Sequence, residues 1–499
     1  MGLKDSIGHR ITNFLFPYIQ EQYSQKGELM PMQKLNNYEM MEKYLWYVGN
    51  ENLLVDFYTS KRPDYIGTIN AKAHYYYAKV RNDVRIIHSG IPKLVSKTKA
   101  RVLMAGGIEV LIKEGEDKDT DKDNTNRLYD ILIDNDYKEQ IKQSIRTRSW
   151  AGAFAYKIIY DAELTEYPIW EVYSPFNFIV NKKKGRVVSI EFIEHINDGN
   201  TKYELHEVYA KGSIDYVLYK VKKNSELEEV PLTTLEETAE LEKIEWKEPI
   251  MMAGVLEGES DYDGIVSEFD ALDETWSQLM DEIRNGRADV YIPEILLVNQ
   301  GFDPLRRKHI EMGTDEKEDG KNEVKFNQPD IRSEEYDKSL EKILGNILAN
   351  VELSKLTIGL DESIGANSSG DSITERETTT LRTRAEMIEE WQPFLEKFFN
   401  TLLFADDFFR VTKQKKNSNK RRTDYYVVAT FGDYVKETKN ERIEQATKMI
   451  TADIIDPEKA LDEVYGESLT QEEKDRILAN LGALTIQPTE DDQDDDTEE

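Results

Sequence analysis

The sequence predicts a chain of the α+β class that is organised into several domains. Its 499 residues exceed what one simple hydrophobic core accommodates, which suggests roughly two to four domains. Apolar residues recur at helical spacing in the first 150 residues and again from about residue 263. Between these parts, residues 155–221 carry short runs rich in β-branched and aromatic residues, separated by turn signals such as Asp198-Gly199-Asn200. Helices that are separated from an antiparallel meander, without βαβ repeats, indicate this class.

The composition is strongly acidic and lacks cysteine. The formal net charge is −32, with 39% hydrophobic and 32% charged residues, so apolar side chains suffice for folded cores. Without cysteine, disulfides and thiolate metal sites are excluded. The sequence has no run of 18 apolar residues, so it predicts no membrane-spanning helix. Phosphate binding needs lysine and arginine, so the general surface should not grip nucleic acid, although the protein could surround DNA without holding it.

The first 150 residues are mainly helical by pattern. Residues 1–60 are helical and aromatic, and residues 72–104 form a basic, amphipathic stretch that Gly106-Gly107 ends. Val110 to Ile112 predicts a short strand, and a single helix is predicted from Thr125 to Trp150. Six strands should follow, at Ala155–Tyr160, Ile169–Tyr173, Phe176–Val180, Val187–His195, Tyr203–Tyr209 and Ile214–Val221.

A helix predicted over residues 264–286 has an apolar face and an acidic face. Its apolar residues follow spacings of 4, 3, 4, 3 and 4, which is a heptad seam: Ile265, Phe269, Leu272, Trp276, Leu279 and Ile283. At 100° per residue, a stripe falls opposite the seam: Asp270, Glu274 and Asp281, with Ser277 beside them. Taken alone, this pattern is also typical of an ordinary surface helix with solvated acids.

The context of this helix favours a role in a channel. A mixed, charged insertion at 287–330 follows it, and a second amphipathic helix is predicted at about 333–353. Two such helices can form a hairpin-like stem with a small domain at its tip. If the stem is repeated around a ring, the acidic stripes face a common channel, where carboxylates repel phosphate and keep a sliding duplex centred.

A flexible loop and a long helix are predicted after the stem. The loop spans Gly359 to Gly370 and contains glycine, serine and acidic residues, including Asp361, Glu362, Ser363, Asn367, Ser368 and Ser369. It is interpreted either as a surface connector or as a mobile loop that projects into a channel. The helix runs from Ser372 to about Asp407, with Pro393 expected to kink it.

Two charged segments near the C-terminus have opposite signs. A basic cluster lies between the long helix and a strand predicted at Tyr425–Phe431, and it could contact DNA or an acidic partner, or be a solvated loop. The predicted members of this cluster are Lys413, Lys415, Lys416, Lys420, Arg421 and Arg422. The tail from Thr489 has eight acids in eleven residues and is expected to be disordered.

The sequence shows no recognisable catalytic motif. It contains neither a G-x-x-x-x-G-K-[ST] phosphate loop nor H-E-x-x-H, and its six histidines lack metal-ligand spacing. The alternating acids at 117–123 lack the glycine and the closing acid of a calcium loop. We therefore predict a protein that is not an enzyme and has no catalytic residues, no metal site and no cofactor.

Several stretches carry a resemblance to a known family. They are Arg85 to Gly106, Ser149 to Ile158, Phe269 to Glu274, the loop and helix around Ser372, and Ile454 to Leu461 with Gln471 to Lys474. In this order they resemble the portal, or head-to-tail connector, proteins of tailed double-stranded-DNA bacteriophages, over roughly residues 70–485. The resemblance implies a portal fold with a β-rich wing, a two-helix stem, a small clip insertion, a long kinked helix and a helical crown.

The resemblance also implies domain boundaries. They are an N-terminal segment at 1–70, a wing at 71–262, a stem helix at 263–286, a clip at 287–330, a second stem helix at 331–355, a tunnel loop at 356–372, a long kinked wing helix with basic linker and strand at 373–432, a crown at 433–485 and an acidic tail at 486–499.

The function that the resemblance implies is a passive conduit for DNA. Twelve copies would form a ring at one capsid vertex of the virion, assembled in the host bacterial cytoplasm, with double-stranded DNA packaged and ejected without sequence-specific binding. The implied partners are a terminase motor, a scaffold or major capsid protein, and head-completion proteins of the neck, with no membrane. Two alternatives stay open: another phage assembly or capsid protein, and an acidic hydrolase with an unrecognised carboxylate site.

Overall fold

The computed structural model describes residues 32–59, 74–77, 86–113, 118–222, 226–286, 289–293, 309–312, 325–327, 331–359, 377–414, 422–434, 474 and 476. The chain divides into two compact units, Met1–Gly432 and Asp433–Glu499. The helices and strands given below belong to the first unit. The predicted crown and acidic tail lie outside the described residues, apart from positions 433, 434, 474 and 476.

The longer helices of the described ranges are eight in number. They are α1 (Met32–Val48), α2 (Glu51–Thr59), α3 (Ile91–Leu103), α4 (Lys118–Asp134), α5 (Tyr137–Ala151), α6 (Val266–Asn285), α7 (Ser333–Asn350) and α8 (Thr378–Gln414). Within those ranges, no helix combines the length and the apolar character that crossing a membrane requires.

The strands form four sheets in the described part of the chain. They are β1 (Ile108–Ile112), β2 (Ala153–Ile159), β3 (Ile169–Tyr173), β4 (Phe178–Lys183), β5 (Arg186–Asp198), β6 (Thr201–Ala210), β7 (Ser213–Val221), β8 (Leu227–Val230), β9 (Ile244–Glu245), β10 (Ala253–Glu257), β11 (Asp289–Pro293), β12 (His309–Met312), β13 (Lys325–Asn327) and β14 (Val427–Phe431). The largest sheet has the order β4-β5-β6-β7-β8, with β9 beside β7, and smaller sheets have the orders β10-β2-β3, β12-β11-β13 and β1-β14.

This mixture of helices and sheets confirms the α+β class, and the six predicted strands all exist. The single helix predicted from Thr125 to Trp150 is wrong, because the structure has two helices separated at Asn135 and Asp136. The Asn135 side chain donates to the carbonyls of Ile131 and Pro168 and accepts from the Trp170 amide, and Asp136 has a left-handed φ of 46°. The side chain thus ends α4 and ties it to β3, which the helical periodicity does not reveal.

The main core forms where the long helix α8 packs on β2, β3 and β10. Trp391 stacks on Phe154 with ring centroids 5.0 Å apart, and Phe398 lies 4.6 Å from Tyr156. A Cβ added at Gly254 would meet the Phe394 ring at 3.2 Å, so the small residue lets the helix approach the sheet. Each of these buried rings stabilises the fold by roughly 1.5–3 kcal/mol relative to exposure. Pro393, which cannot donate a hydrogen bond, lies within this helix.

The pairing of β1 with β14 joins distant parts of the sequence. The two strands are antiparallel, with Ile108 opposite Phe431 and Ile112 opposite Val427. Arg384 of α8 holds this junction, since its guanidinium donates to the carbonyls of Val102 and Ala105 at the end of α3 and to Gly432 after β14. The junction therefore links the first strand, the last strand and the long helix.

The middle strands of the largest sheet carry a charged histidine. His206 is 5% exposed, and its ring nitrogens contact Glu191 and, at 3.4 Å, Oε2 of Glu204. Burial lowers the pKa of a histidine, but hydrogen bonds and charges from the two carboxylates outweigh it and raise the pKa of His206 to about 9. The hydrogen bond with His206 also lowers the pKa of Glu191.

We predict that His206 stabilises the sheet fully below pH 6.5 and that this contribution is lost as pH rises through about 9. The sign follows because the raised pKa means that the folded state keeps a proton that the unfolded chain releases. His206→Gln should flatten the fall in unfolding free energy across this window in urea denaturation. Glu194→Gln, an exposed acid in the adjacent strand β5, is the control and should keep the fall. Parallel profiles for wild type and His206→Gln would contradict the prediction.

Candidate functional site: a helical hairpin and its buried root

The helices α6 and α7 pack against each other as a hairpin, with β11, β12 and β13 in the chain between them. At the end nearest these strands, Arg332 joins the two helices. Its Nε and one terminal nitrogen lie 3.2 and 3.1 Å from the two carboxylate oxygens of Glu282, and its backbone N–H donates to the same group at 3.0 Å. These hydrogen bonds from Arg332 lower the pKa of Glu282 to about 2. The hairpin is therefore closed at its distal end by a bidentate ion pair.

The predicted heptad seam of α6 divides into two halves. In the first half, which we call the root, Ile265, Phe269 and Leu272 are all buried at 4% exposure or less. In the distal half, Trp276 is 43% and Ile283 44% exposed, and Leu279 is half-buried. The seam therefore packs within the subunit at its root and presents apolar surface at its distal half.

The root packs into a second hydrophobic core, separate from the one under α8. Phe269 lies 5.2 Å from the ring of Tyr262 and 5.9 Å from Trp46 of α1. Ile347 and Leu348 of α7 are buried in the same cluster. The N-terminal helices thus pack around the base of the hairpin, which gives residues 32–59 a structural role that their sequence pattern did not indicate.

The predicted acidic stripe is not uniform, because two of its four residues are buried within the subunit. Asp270 is 6% exposed and Ser277 is 1% exposed. Asp270 accepts a hydrogen bond from the Tyr75 amide at 2.8 Å, and Ser277 accepts one from the Ile87 amide at 2.9 Å. Both side chains are covered by the segments 74–77 and 86–90 of the same subunit, and this burial does not favour a channel-facing position for them.

Glu274 and Asp281 differ from these two residues because both are half-buried rather than buried. Burial, followed by the charge of Asp270, raises the pKa of Glu274. On a helix of 100° per residue, Ser277 and Asp270 lie roughly 120–140° from the seam, whereas Glu274 and Asp281 lie roughly 160–180° from it. The N-terminal segments cover the nearer flank and leave the farther one accessible. For Glu274 and Asp281, a channel-facing role stays a prediction.

Asp273 is the residue of this helix that the sequence reasoning missed. It is fully buried and accepts hydrogen bonds from the Tyr76 hydroxyl at 2.7 Å and the Ser89 amide at 2.8 Å. Its Oδ2 also lies 2.8 Å from Nδ1 of His88. The sequence position of Asp273 could have indicated this role. On a helix it lies only roughly 80° from the seam direction, and a carboxylate there needs hydrogen-bond partners if the helix is buried.

A neighbouring pair of acidic and aromatic groups extends this polar network. The Tyr58 hydroxyl donates to Glu42 at 2.5 Å and accepts from the indole nitrogen of Trp46 at 2.9 Å. His74 stacks on Tyr58 with ring centroids 4.2 Å apart. Burial raises the pKa of Glu42 above its ordinary value. The root is thus held by a polar network as well as by apolar contacts.

The tunnel-loop residues predicted from the sequence lie outside the described residues; they are Asp361, Glu362, Ser363, Asn367, Ser368 and Ser369. The chain on either side of them is described, and threonine hydroxyls join the two sides. Thr380, at the start of α8, accepts from the Ser354 amide at 2.9 Å and shares a hydrogen bond of 2.7 Å with Thr357. Thr383 donates to the Glu352 carbonyl at 2.7 Å. The two ends of the predicted tunnel loop are therefore fastened together.

The basic cluster is described only at its edges. Lys415, Lys416, Lys420 and Arg421 lie outside the described residues, and only the backbone of Lys413 is described, in the last turn of α8. Arg422 donates from Nε to the Asp424 carbonyl at 2.8 Å and lies 5.0 Å from the Tyr425 ring centre. Arg422 is thus engaged locally, and a contact of the cluster with DNA or a partner stays a prediction.

We predict that Asp273→Ala lowers the free energy of unfolding by about 3 kcal/mol, because it leaves buried donors in three residues without their acceptor. Faster hydrogen exchange of the Ser89 amide should accompany the loss. Asp337→Ala, an exposed acid on α7, is the matched control and should change stability by less than about 0.5 kcal/mol. Equal stability of the two variants would show that Asp273 does not hold the root.

Comparison with known proteins adds one finding to this geometry. Residues 32–483 match the sequence profile of the family described as "Phage portal protein, SPP1 Gp6-like". The matched range includes the hairpin, the N-terminal helices around its root and the long helix α8. The chain has no match among curated protein sequences.

Proposed function

Because the chain belongs to the SPP1 Gp6-like family of phage portal proteins, we propose that it forms a closed ring of twelve copies, with the α6–α7 hairpins around a central DNA channel. Portal proteins are a structural, non-enzymatic family found at a capsid vertex of the virion. In the proposed role, double-stranded DNA passes through the ring during packaging and ejection. The energy for packaging comes from a separate terminase motor.

The observation that carries the proposal is the uncovered distal half of the α6 seam. Trp276 and Ile283 are both more than two-fifths exposed, although they continue the register of a root that is fully packed. Burial of the fraction of the two side chains that is still exposed would contribute on the order of 1–3 kcal/mol per interface, before the cost of association. A second copy of the hairpin, placed side by side with the first, supplies apolar surface of the same kind.

The charge distribution supports a channel in which DNA slides. Glu274 and Asp281 lie on the accessible flank of α6, and the exposed first turn of α7 adds Glu334 and Glu335. Cations of the same hairpin lie beside these acids, with Arg284 3.4 Å from Asp281 and Lys338 3.8 Å from Glu334, so the proposed wall offers phosphate mixed charges and no concentrated basic surface. The wall therefore centres the duplex without binding it.

The remaining parts of the proposal concern partners and assembly. We propose that the segment 287–330 is the clip on which the terminase motor and then the head-completion proteins of the neck dock. The wing at 71–262 and the crown at 433–485 would contact the scaffold or major capsid protein. Assembly would take place in the cytoplasm of the host bacterium. The small sheet of β11, β12 and β13 supports a folded clip, since it closes the chain between the two stem helices.

We predict that the double variant Trp276→Gln and Ile283→Gln shifts the protein from rings to free subunits, because it removes the apolar contact between neighbouring hairpins. Light scattering after size exclusion and the rotational symmetry in negative-stain images measure the effect. The control is Ile133→Gln with Leu164→Gln, which removes two residues that are 68% and 75% exposed elsewhere. Intact rings in the seam variant, or equal loss in the control, would contradict this interface.

We also predict that Glu274→Lys combined with Asp281→Lys reduces the amount of DNA packaged per capsid and leaves the subunit folded, because the introduced cations bind passing phosphates. Glu194→Lys with Asp198→Lys, both exposed on β5, makes the same charge change away from the hairpin and should package normally. DNA content of purified particles is the readout. Normal packaging by the stem variant would mean that this flank of α6 does not face DNA.

A further inference from the structure

A small basic recess lies between α3 and α5, on a chain whose overall charge is strongly negative. One face of α3 contributes Lys97, Ala100 and Arg101, the residues after its end contribute Met104 and Ala105, and α5 contributes Lys142 and Arg146. The recess has a volume of about 380 Å³. The spacings of three and four residues place the contributing side chains on one side of each helix. The lining therefore combines alanine and methionine with four basic side chains.

The positive charges of the recess are only partly balanced by the described part of the chain. Glu139 lies 3.0 Å from Arg146 and 3.7 Å from Lys142. Neither Lys97 nor Arg101 forms an ion pair with a carboxylate of the described residues. The Nε atom of Arg146 is buried and has no hydrogen-bond partner among the described residues. The recess thus holds four cations against one carboxylate, and an anion entering it relieves their repulsion.

We propose that this recess is a binding site for phosphate oxyanions. A phosphate group brings up to two charges and several acceptor oxygens into a compact volume, which suits two guanidinium forks and two ammonium groups on facing walls. Carboxylates of an acidic peptide carry one charge each and are spread along an extended chain, so a single recess of this size engages few of them. Two sources offer the required chemistry, a nucleic-acid backbone and a free polyphosphate.

The position of the recess connects it to the predicted tunnel loop. Arg101 donates to the carbonyl of Thr357 at 2.9 Å, and the Thr357 hydroxyl is in turn bonded to Thr380. These are the residues that fasten the two ends of the loop. Only the Arg101 side chain therefore separates a phosphate bound in the recess from the base of that loop. The charge of the phosphate acts on the same arginine that contacts the loop.

The experiment uses the full-length protein and three probes. Inorganic pyrophosphate, a fluorescein-labelled oligothymidylate and a deca-glutamate peptide are titrated at constant ionic strength. Binding is followed by thermal shift and by fluorescence anisotropy. The test variant is Lys97→Gln with Lys142→Gln, which spares the two arginines and their structural contacts. The control, Lys183→Gln with Lys211→Gln, removes two exposed lysines outside α3 and α5.

We expect pyrophosphate to bind and the test variant to lose about tenfold or more in affinity, since it removes two charged contacts. The control should bind like wild type. Oligothymidylate binding with the same dependence on Lys97 and Lys142 identifies nucleic acid as the source, and pyrophosphate binding alone identifies a free polyphosphate. Absence of pyrophosphate binding, equal affinities of test and control variants, or tighter recess-dependent binding of deca-glutamate would overturn the proposal. No arm requires a ring, so the outcome is independent of the proposed conduit.

Discussion

The carboxylate of Asp273 is buried in the root of α6 and meets hydrogen-bond donors from Tyr76, His88 and Ser89. A buried charge is costly unless its partners are complete, so this contact requires the N-terminal segments to lie against the hairpin. Once they do, Trp46 packs on Phe269 and the second core closes around α1, α6 and α7. The direction in which the hairpin leaves the subunit therefore depends on a polar contact as much as on an apolar one.

The same arrangement divides α6 into two functional parts. The root is covered on two sides by its own subunit, and the distal half keeps both its apolar seam and its acidic flank accessible. An element that is rigid at its base and uncovered beyond it suits assembly with identical copies, because its free surface is held in one orientation before any partner arrives. The bidentate contact between Arg332 and Glu282 fixes the other end, so the exposed stretch lies between two anchored points.

Much of the fold could be predicted because its local patterns agree with its tertiary structure. The strands from Ala153 to Val221 follow alternation and turn residues, and α6 and α7 follow their heptads. The prediction of one helix from Thr125 to Trp150 was wrong because one side chain overrides the local pattern. The Asn135 amide donates to two carbonyls and divides the predicted helix into α4 and α5. The pattern also could not reveal that Asp270 and Ser277 are covered within the subunit, because the residues that cover them lie about 190 positions away in the chain.

The sequence by itself determined the class of the fold, the amphipathic character of the stem helices, the acidity of the chain and its resemblance to portal proteins. These properties depend on residue type and spacing along one element, which helical and strand geometry translate directly into faces. Only the tertiary structure decided which acids of α6 are accessible, that Asp273 is the buried anchor, and that Lys97, Arg101, Lys142 and Arg146 meet in one recess. Those outcomes depend on contacts between elements distant in sequence, and no periodicity within one helix specifies them.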